Sequence, residues 1–372
     1  MTSTPRRFLG LTVKQLVISF VGVIALGSIW AVGLAMYLRV GFSEVPATIE
    51  PAVVPTQFSV SQAGNASAQP SIGQEQATKF PPAPTVQQFA TATPTGTEAV
   101  NSSSNGELIA FTSVVEGRRD IWIIQKDGVG LTNITGNQPN AYADAPAWSP
   151  DGKFIAFDAY REGNRDIYIQ ALDGGGEMIR LTQDAKDDCY PEFSPDGKQI
   201  VFMSERDGNR EIYVMEVDGT NLIRLTDHPA DDYEPTWSPD GTQIVFVSRR
   251  NGNSDIYVMN ADGSNLHLIV EARGLDWRPD WSPSGEWIVF ESWRDDNADI
   301  YIVRPDGSEL TQITDHFLDD GHPSFAPDGR QIVFHSNREG YFELYSLDLQ
   351  DLTEVIKIET LSLNNQLPSW SP

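Results

Sequence analysis

Acidic side chains recur at one position in the C-terminal part of this sequence, three residues before a proline, in a pattern that suits cation binding. The position holds Asp188, Asp232, Asp276 and Asp320 and, in the last copy, the neutral Asn365, with Asp144 one place out of phase. Clustered carboxylates favour a hard cation such as calcium or the basic groups of a partner. If the copies surround one axis, these residues line one mouth of a central channel.

Arginines recur in a loop that we expect on the same face as these acids. They are Arg161, Arg206, Arg250, Arg294 and Arg338. One hypothesis is that the two sets form a site for a ligand or partner. The other is that each arginine pairs with an aspartate and so fixes the geometry of its loop. Calcium is the only cofactor that either interpretation suggests.

Histidines offer a second, weaker indication of chemistry. His228 and His316 share a Thr-Asp-His context, and His322 follows shortly after, so a metal-binding or acid-base role is a hypothesis. The sequence contains no Gly-x-Ser-x-Gly elbow, no phosphate-binding Gly-Lys loop and no Cys-x-x-Cys motif. Its one cysteine, Cys189, excludes an internal disulfide. We therefore favour a protein without a catalytic set.

These residues lie within an internal repeat of about 44 residues. The motif Ser-Pro-Asp-Gly or a close variant begins at Ser149, Ser194, Ser238, Ser282 and Ala326. After each copy come an Ile-x-Phe strand, a second strand such as Ile256-Tyr257-Val258, and in most copies an Asp-Gly turn. Pro-x-aromatic segments provide a further strand. Four short antiparallel strands in each of six repeats predict an all-β fold, a six-bladed β-propeller.

The two ends of the repeat region predict how the ring closes. The chain stops at Ser371-Pro372, and the repeat region opens at Asn105-Gly106, so joining them regenerates Ser-Pro-Asn-Gly. The strand around Trp370 should therefore pair with the first repeat. Such pairing removes the exposed ends of the array.

The repeats of residues 106–372 resemble the propeller domain of the TolB family, because the Trp-Ser-Pro-Asp-Gly, Ile-x-Phe and Arg-x-Gly-Asn-x-Asp-Ile-Tyr motifs recur in phase. Departures occur at Ser284, Ala326 and Leu268-Ile269, and Asp348-Leu349 replaces the last Asp-Gly. The resemblance implies a module that binds proteins or small ligands. TolB has an α/β domain before its propeller, whereas this sequence has a different N-terminal part.

That N-terminal part predicts a membrane anchor. Residues 16–38 have no acidic or basic side chain, and a helix of this length would cross a bilayer. Residues 1–15 contain basic residues, which favour a cytoplasmic position for the N-terminus. Residues 39–105, rich in Pro, Thr, Ser and Gln, predict a disordered linker. A cleaved signal peptide is the alternative. Small residues at Gly27, Ala31 and Ala35 raise the option of a homodimer through the helix.

The net charge of -26 excludes direct binding of nucleic acid, because so acidic a surface repels phosphates. The favoured function is a non-catalytic, single-pass membrane-tethered module whose propeller lies outside the cytoplasm and binds a protein or envelope component. The alternative is a glycan-binding or cation-dependent polysaccharide-acting propeller that uses the aspartate ring.

Overall fold

The computed structural model describes residues 108–115, 117–136, 142–173, 177–360 and 364–372, and these consist of strands, turns and loops. Among them there is no helix that could cross a bilayer. The predicted cytoplasmic tail, membrane helix and linker of residues 1–105 lie outside the described residues. The all-β prediction is confirmed for the described part.

The described residues form 24 strands, numbered β1 to β24 in chain order, and four kinds of strand alternate along the chain. The inner strands carry the Pro-x-aromatic segments: β4 (Tyr142–Trp148), β8 (Asp188–Phe193), β12 (Asp232–Trp237), β16 (Asp276–Trp281), β20 (Asp320–Phe325) and β24 (Asn365–Trp370). The second strands carry Ile-x-Phe: β1 (Leu108–Val115), β5 (Phe154–Arg161), β9 (Gln199–Ser204), β13 (Gln243–Ser248), β17 (Ile288–Ser292) and β21 (Gln331–Ser336).

Two further strands follow in each repeat and complete a set of four strands, with the outer strand farthest from the inner one. The third strands are β2 (Arg118–Gln125), β6 (Asn164–Ala171), β10 (Glu211–Glu216), β14 (Asp255–Asn260), β18 (Asp299–Val303) and β22 (Glu343–Asp348). The outer strands are β3 (Thr132–Asn133), β7 (Ile179–Arg180), β11 (Ile223–Arg224), β15 (His267–Val270), β19 (Thr311–Gln312) and β23 (Asp351–Ile358).

Sheet topology follows this order of strands. Four sheets contain four antiparallel strands each, and the other eight strands form one sheet in which a single parallel contact between Arg119 and Tyr142 joins two sets of four. Strand β24 pairs with β1, with Ile109 opposite Trp370, and the Ser371 amide donates to the Leu108 carbonyl at 2.8 Å. The predicted closure by the C-terminal strand is confirmed.

The core lies on the faces between neighbouring sets. The phenylalanine of each Ile-x-Phe segment is fully buried: Phe111, Phe157, Phe202, Phe246, Phe290 and Phe334. The aromatic residue of each inner strand packs against the preceding set, as Trp237 does against Val201 and Ile212. Strand alternation therefore places apolar side chains on both sheet faces, and each set is stabilised by its neighbours.

Each inner strand contains a bulge next to its proline. Inner strands contact one another in the sequence β4, β8, β12, β16, β20, β24 and again β4, so they surround a common axis. The residue before each proline has a positive φ of 49° to 56°: Ala145, Tyr190, Glu234, Arg278, His322 and Leu367. All of these residues line the space at the axis. The bulge in each inner strand therefore places the residue before the proline in the lining of the central channel.

Candidate functional site in the central channel

The inner strands enclose a cavity of about 330 Å³. We call the residues before the prolines the first ring. The second ring, two residues further along the strands, contributes Glu192, Thr236, Asp280, Ser324 and Ser369 to the lining. Beyond it lie the inner-strand aromatic residues and the prolines of the Ser-Pro turns. The lining therefore combines an apolar end with two polar rings.

Both acids of the second ring have a raised pKa. Burial raises the pKa of Glu192 well above its ordinary value, and the neighbouring negative charge of Asp280 raises it further. Burial also raises the pKa of Asp280 to about 6, although the Phe325 amide donates to Asp280 Oδ2 at 2.9 Å. A cation that enters the cavity would stabilise both carboxylates in their charged form.

Three side chains of the first ring form a connected polar group. Arg278 Nε lies 3.1 Å from Glu234 Oε1, and the Arg278 amide donates to the other oxygen at 2.8 Å. Arg278 Nη2 donates to the Tyr190 hydroxyl at 3.2 Å, and the guanidinium stacks 4.4 Å from the centre of that ring. These contacts fix the guanidinium and balance its charge.

A cluster of two histidines and one acid lies beside this group. Glu291 Oε2 is 4.0 Å from His322 Nε2, and the rings of His322 and His335 have centroids 4.5 Å apart. Burial, and then the charge of Arg278, lowers the pKa of His335 to about 3 and that of His322 well below its ordinary value. Burial raises the pKa of Glu291 to about 7. Both imidazoles are therefore neutral at neutral pH.

The recurring aspartates of the sequence analysis lie away from the cavity lining. Asp188, Asp232, Asp276 and Asp320 are fully buried, and each accepts hydrogen bonds from an arginine of its own set. The pairs are Arg206–Asp188 at 2.9 Å, Arg250–Asp232 at 2.8 Å, Arg294–Asp276 at 3.2 Å and Arg338–Asp320 at 2.8 Å. The geometry is the Arg–Asp pairing of the second hypothesis. Binding of calcium, a ligand or a partner by this set stays a prediction.

The remaining members of that set have individual surroundings. Asp144 pairs with Arg119 at 3.1 Å, and Asn365 Nδ2 donates to Glu343 Oε2 at 3.1 Å. Arg161 stacks on the Tyr168 ring at 5.1 Å, as the other arginines of the set do on their own tyrosines. Among the described residues its Nε and Nη2 atoms have no hydrogen-bond partner, because the apolar Ala143 occupies the aspartate position of its repeat. The first repeats therefore depart from the common pairing.

The histidines of the sequence analysis separate into two groups. His228 Nδ1 accepts from the Ala230 amide at 3.1 Å, and His316 Nδ1 accepts from the Leu318 amide at 3.2 Å, so both stabilise their own loops. His322 instead joins His335 and Glu291, which sequence reasoning missed. The signal was available, because the position after each Ile-x-Phe segment changes its chemistry between repeats.

Comparison with known proteins agrees with this architecture. A family model described as "TolB beta propeller domain" matches residues 187–270 and 266–372, which together make up half of the chain. No curated protein matches the sequence.

Solved structures include related propellers. TolB from Acinetobacter baumannii is 25% identical with a TM-score of 0.63, over 72% of this chain and 67% of that one. A putative TolB from Agrobacterium tumefaciens is 25% identical with a TM-score of 0.57, over 71% and 92% of the two chains. Kuenenia stuttgartiensis hydrazine synthase, 15% identical with a TM-score of 0.60 over 71% and 46%, shares the fold alone. The chain therefore belongs to the TolB β-propeller domain family.

Proposed function

We propose that this chain is a membrane-tethered, extracytoplasmic binding module with a non-catalytic, six-bladed propeller. The blade count treats the eight-stranded sheet as two blades joined by one parallel contact. Family membership supports a protein or envelope component as the partner. The anchor, linker and orientation rest on the sequence of residues 1–105.

The cavity is the observation that carries the proposed binding role. Its lining includes prolines and aromatic residues, which offer rigid apolar contact surface at little cost in conformational entropy. Glu192 and Asp280 also line the cavity, and burial destabilises both carboxylates in their charged form. A partner that inserts an apolar segment and one basic side chain would complement both parts.

Photo-crosslinking in cells tests this role. Replacing Thr236, which lines the cavity, with the photoreactive residue p-benzoylphenylalanine should yield a covalent adduct with one discrete protein. The matched control places the same residue at Ser264, which is exposed outside the cavity. The double variant Glu192→Gln and Asp280→Asn should reduce the adduct from position 236 about tenfold or more. Equal adducts at positions 236 and 264, or none at 236, would contradict the proposal.

Topology can be tested with a membrane-impermeant thiol reagent. Cys189 is buried and is the one cysteine of the sequence, so labelling of the parent protein should be low. We expect Ser264→Cys to react in cells whose outer barrier is permeabilised while the cytoplasmic membrane stays intact. Thr4→Cys should react only after lysis. The reverse pattern would exclude an extracytoplasmic propeller.

A further inference from the structure

We infer that Glu291, His322 and His335 form a binding site for one divalent transition-metal ion of the zinc class. The inference concerns the channel wall itself and holds whether or not the cavity also receives a protein segment.

The ligand atoms of these residues converge from three adjacent strands. Glu291 lies in β17, His322 in the bulge of β20 and His335 in β21, and their ligand atoms all lie within 4.8 Å of one another. Ligands about 2.1 Å from a tetrahedral metal ion are about 3.4 Å apart. Small rotations of the two imidazole rings would therefore close the site around an ion.

Neighbouring groups already orient the carboxylate. Trp293 Nε1 donates to Glu291 Oε1 at 2.7 Å, and the His322 amide donates to Glu291 Oε2 at 3.1 Å. Such outer contacts typically hold metal ligands in place. The Nδ1 atom of His335 is buried and has no hydrogen-bond partner in the described part of the chain. The cluster thus combines a fixed acid with an unsatisfied imidazole.

Gly321 provides the space for this arrangement. A Cβ atom there would lie 2.5 Å from Glu291 Oε2 and 2.9 Å from His335 Nε2. The equivalent position of other inner strands holds a side chain, as in Cys189, Tyr233 and Trp277. The missing side chain at this one strand leaves room for the imidazole and the carboxylate.

The repeats also diverge at the positions of two ligands. The residue after the Ile-x-Phe segment is Met203 in one repeat and Val247 in the next, and both are buried in apolar surroundings. The position is polar in the other four repeats, with buried Thr112 and Asp158 in the first two and Glu291 and His335 in two adjacent later ones. Burying an acid and an imidazole where an apolar residue packs well costs stability. A bound cation would offset that cost by pairing with the carboxylate and accepting the lone pairs of the neutral imidazoles.

The donor set indicates the class of metal. Two imidazoles and one carboxylate suit zinc, iron, nickel or copper, whereas calcium and magnesium prefer oxygen ligands throughout. Three protein ligands leave a fourth position open. His322 lines the cavity, so that position would face the channel and could take water or a donor atom of a ligand.

Metal titration of the purified full chain, without a polyhistidine tag, tests the inference. We expect one Zn²⁺ per chain by calorimetry, with affinity about 100-fold weaker in His335→Ala and in His322→Ala. The matched control is His267→Ala, which should leave zinc binding unchanged because His267 is exposed on the outer strand β15.

Cobalt substitution provides a measurement that needs no variant. Co²⁺ bound to the parent protein should show the visible absorption of a four- or five-coordinate site with nitrogen and oxygen ligands, and Zn²⁺ should displace it. Absence of stoichiometric Zn²⁺ binding, or binding that survives in folded His322→Ala and His335→Ala proteins, would overturn the inference. A Co²⁺ spectrum that shows octahedral coordination alone would also count against the inference.

Discussion

Two sets of polar residues recur at fixed positions of the repeats in this propeller: the Asp–Arg loops and the two channel rings. The first set pairs within each sheet, whereas the second makes contacts between sheets. In the Asp–Arg loops, the repeats agree in sequence, and four buried aspartates are paired within their own sheets. In the channel rings, the repeats differ at nearly every position, and contacts run between sheets, as from Arg278 to Tyr190. Agreement between repeats therefore marks residues that maintain the blades, whereas divergence marks residues that give the channel its chemistry.

The largest expected effect comes from removing an element that all repeats share. Deleting residues 367–372 removes most of β24 and exposes the edge of β1, which pairs with it. We expect loss of cooperative unfolding, because every set depends on its neighbours in a closed ring. Circular dichroism during thermal unfolding measures this. A truncated protein as heat-resistant as the parent would show that the ring does not need its C-terminal strand.

Breaking one Asp–Arg pair should be the next largest change. Asp232→Ala leaves the Arg250 guanidinium without the carboxylate that lies 2.8 Å away. Loss of one partner of a buried ion pair costs about 3 to 5 kcal/mol. The free energy of unfolding in urea measures it, and Asp240→Ala, at an exposed turn, is the control. A small effect from Asp232→Ala would remove the structural assignment of the repeated loops.

Replacing the channel acid Asp280 should raise the stability of the folded protein, whereas replacing Asp232 should lower it. The pKa of Asp280 is raised to about 6 from 3.8, so the folded protein holds the proton more tightly than the unfolded chain does. Its contribution to stability is present below pH 3.8 and is lost as the pH rises through about 6.

Asp280→Asn removes this loss, because asparagine stays neutral and can still accept the hydrogen bond from the Phe325 amide. We expect the variant to be more stable than the parent at pH 8, by up to about 3 kcal/mol, and closer to it at pH 4. Unfolding at the two pH values measures the difference. Equal or lower stability of Asp280→Asn at pH 8 would place this acid with the structural aspartates.

The smallest expected effect concerns space within the channel wall. Gly321→Ala places a Cβ atom 2.5 Å from Glu291 Oε2, so the carboxylate must move away from its hydrogen-bond donors. Zinc affinity should fall about tenfold while the protein stays folded. Cys189→Ala, at the equivalent position of β8, is the control and should bind zinc like the parent. Unchanged affinity in Gly321→Ala would mean that the glycine does not shape the site.

Sequence reasoning was strongest where the determinants are local. Alternation in Ile-x-Phe and the Ser-Pro-Asp-Gly turns predicted the strands, since strand period and turn chemistry depend on residues close in the chain. In one such turn, Gly197 has a positive φ of 69° and Ser194 Oγ donates to Asp196 Oδ1 at 2.7 Å. The Arg–Asp pairing was also foreseen as an alternative, because both sets recur with constant spacing.

The roles of the channel residues could not be predicted from local sequence patterns. Glu234, Arg278 and His322 precede prolines, a context that disfavours helix and indicates extended or turn backbone but does not specify a left-handed bulge. Nor does the pattern show that Asp232 is fully buried while Asp280, in the inner strand of the next repeat, lines a cavity. These outcomes depend on which groups compete for the same partners after packing.

The sequence by itself determined the strand order and the family, because both rest on a pattern that recurs in every repeat. The match between the two ends of the repeat region also predicted the pairing of the last strand with the first repeat. Only the tertiary structure decided which polar residues meet in the channel, since the ring brings together side chains as far apart in the chain as Tyr190 and Arg278. Their desolvation and pairing depend on that proximity, and proximity across a ring is a property of the assembled sheets rather than of any single repeat.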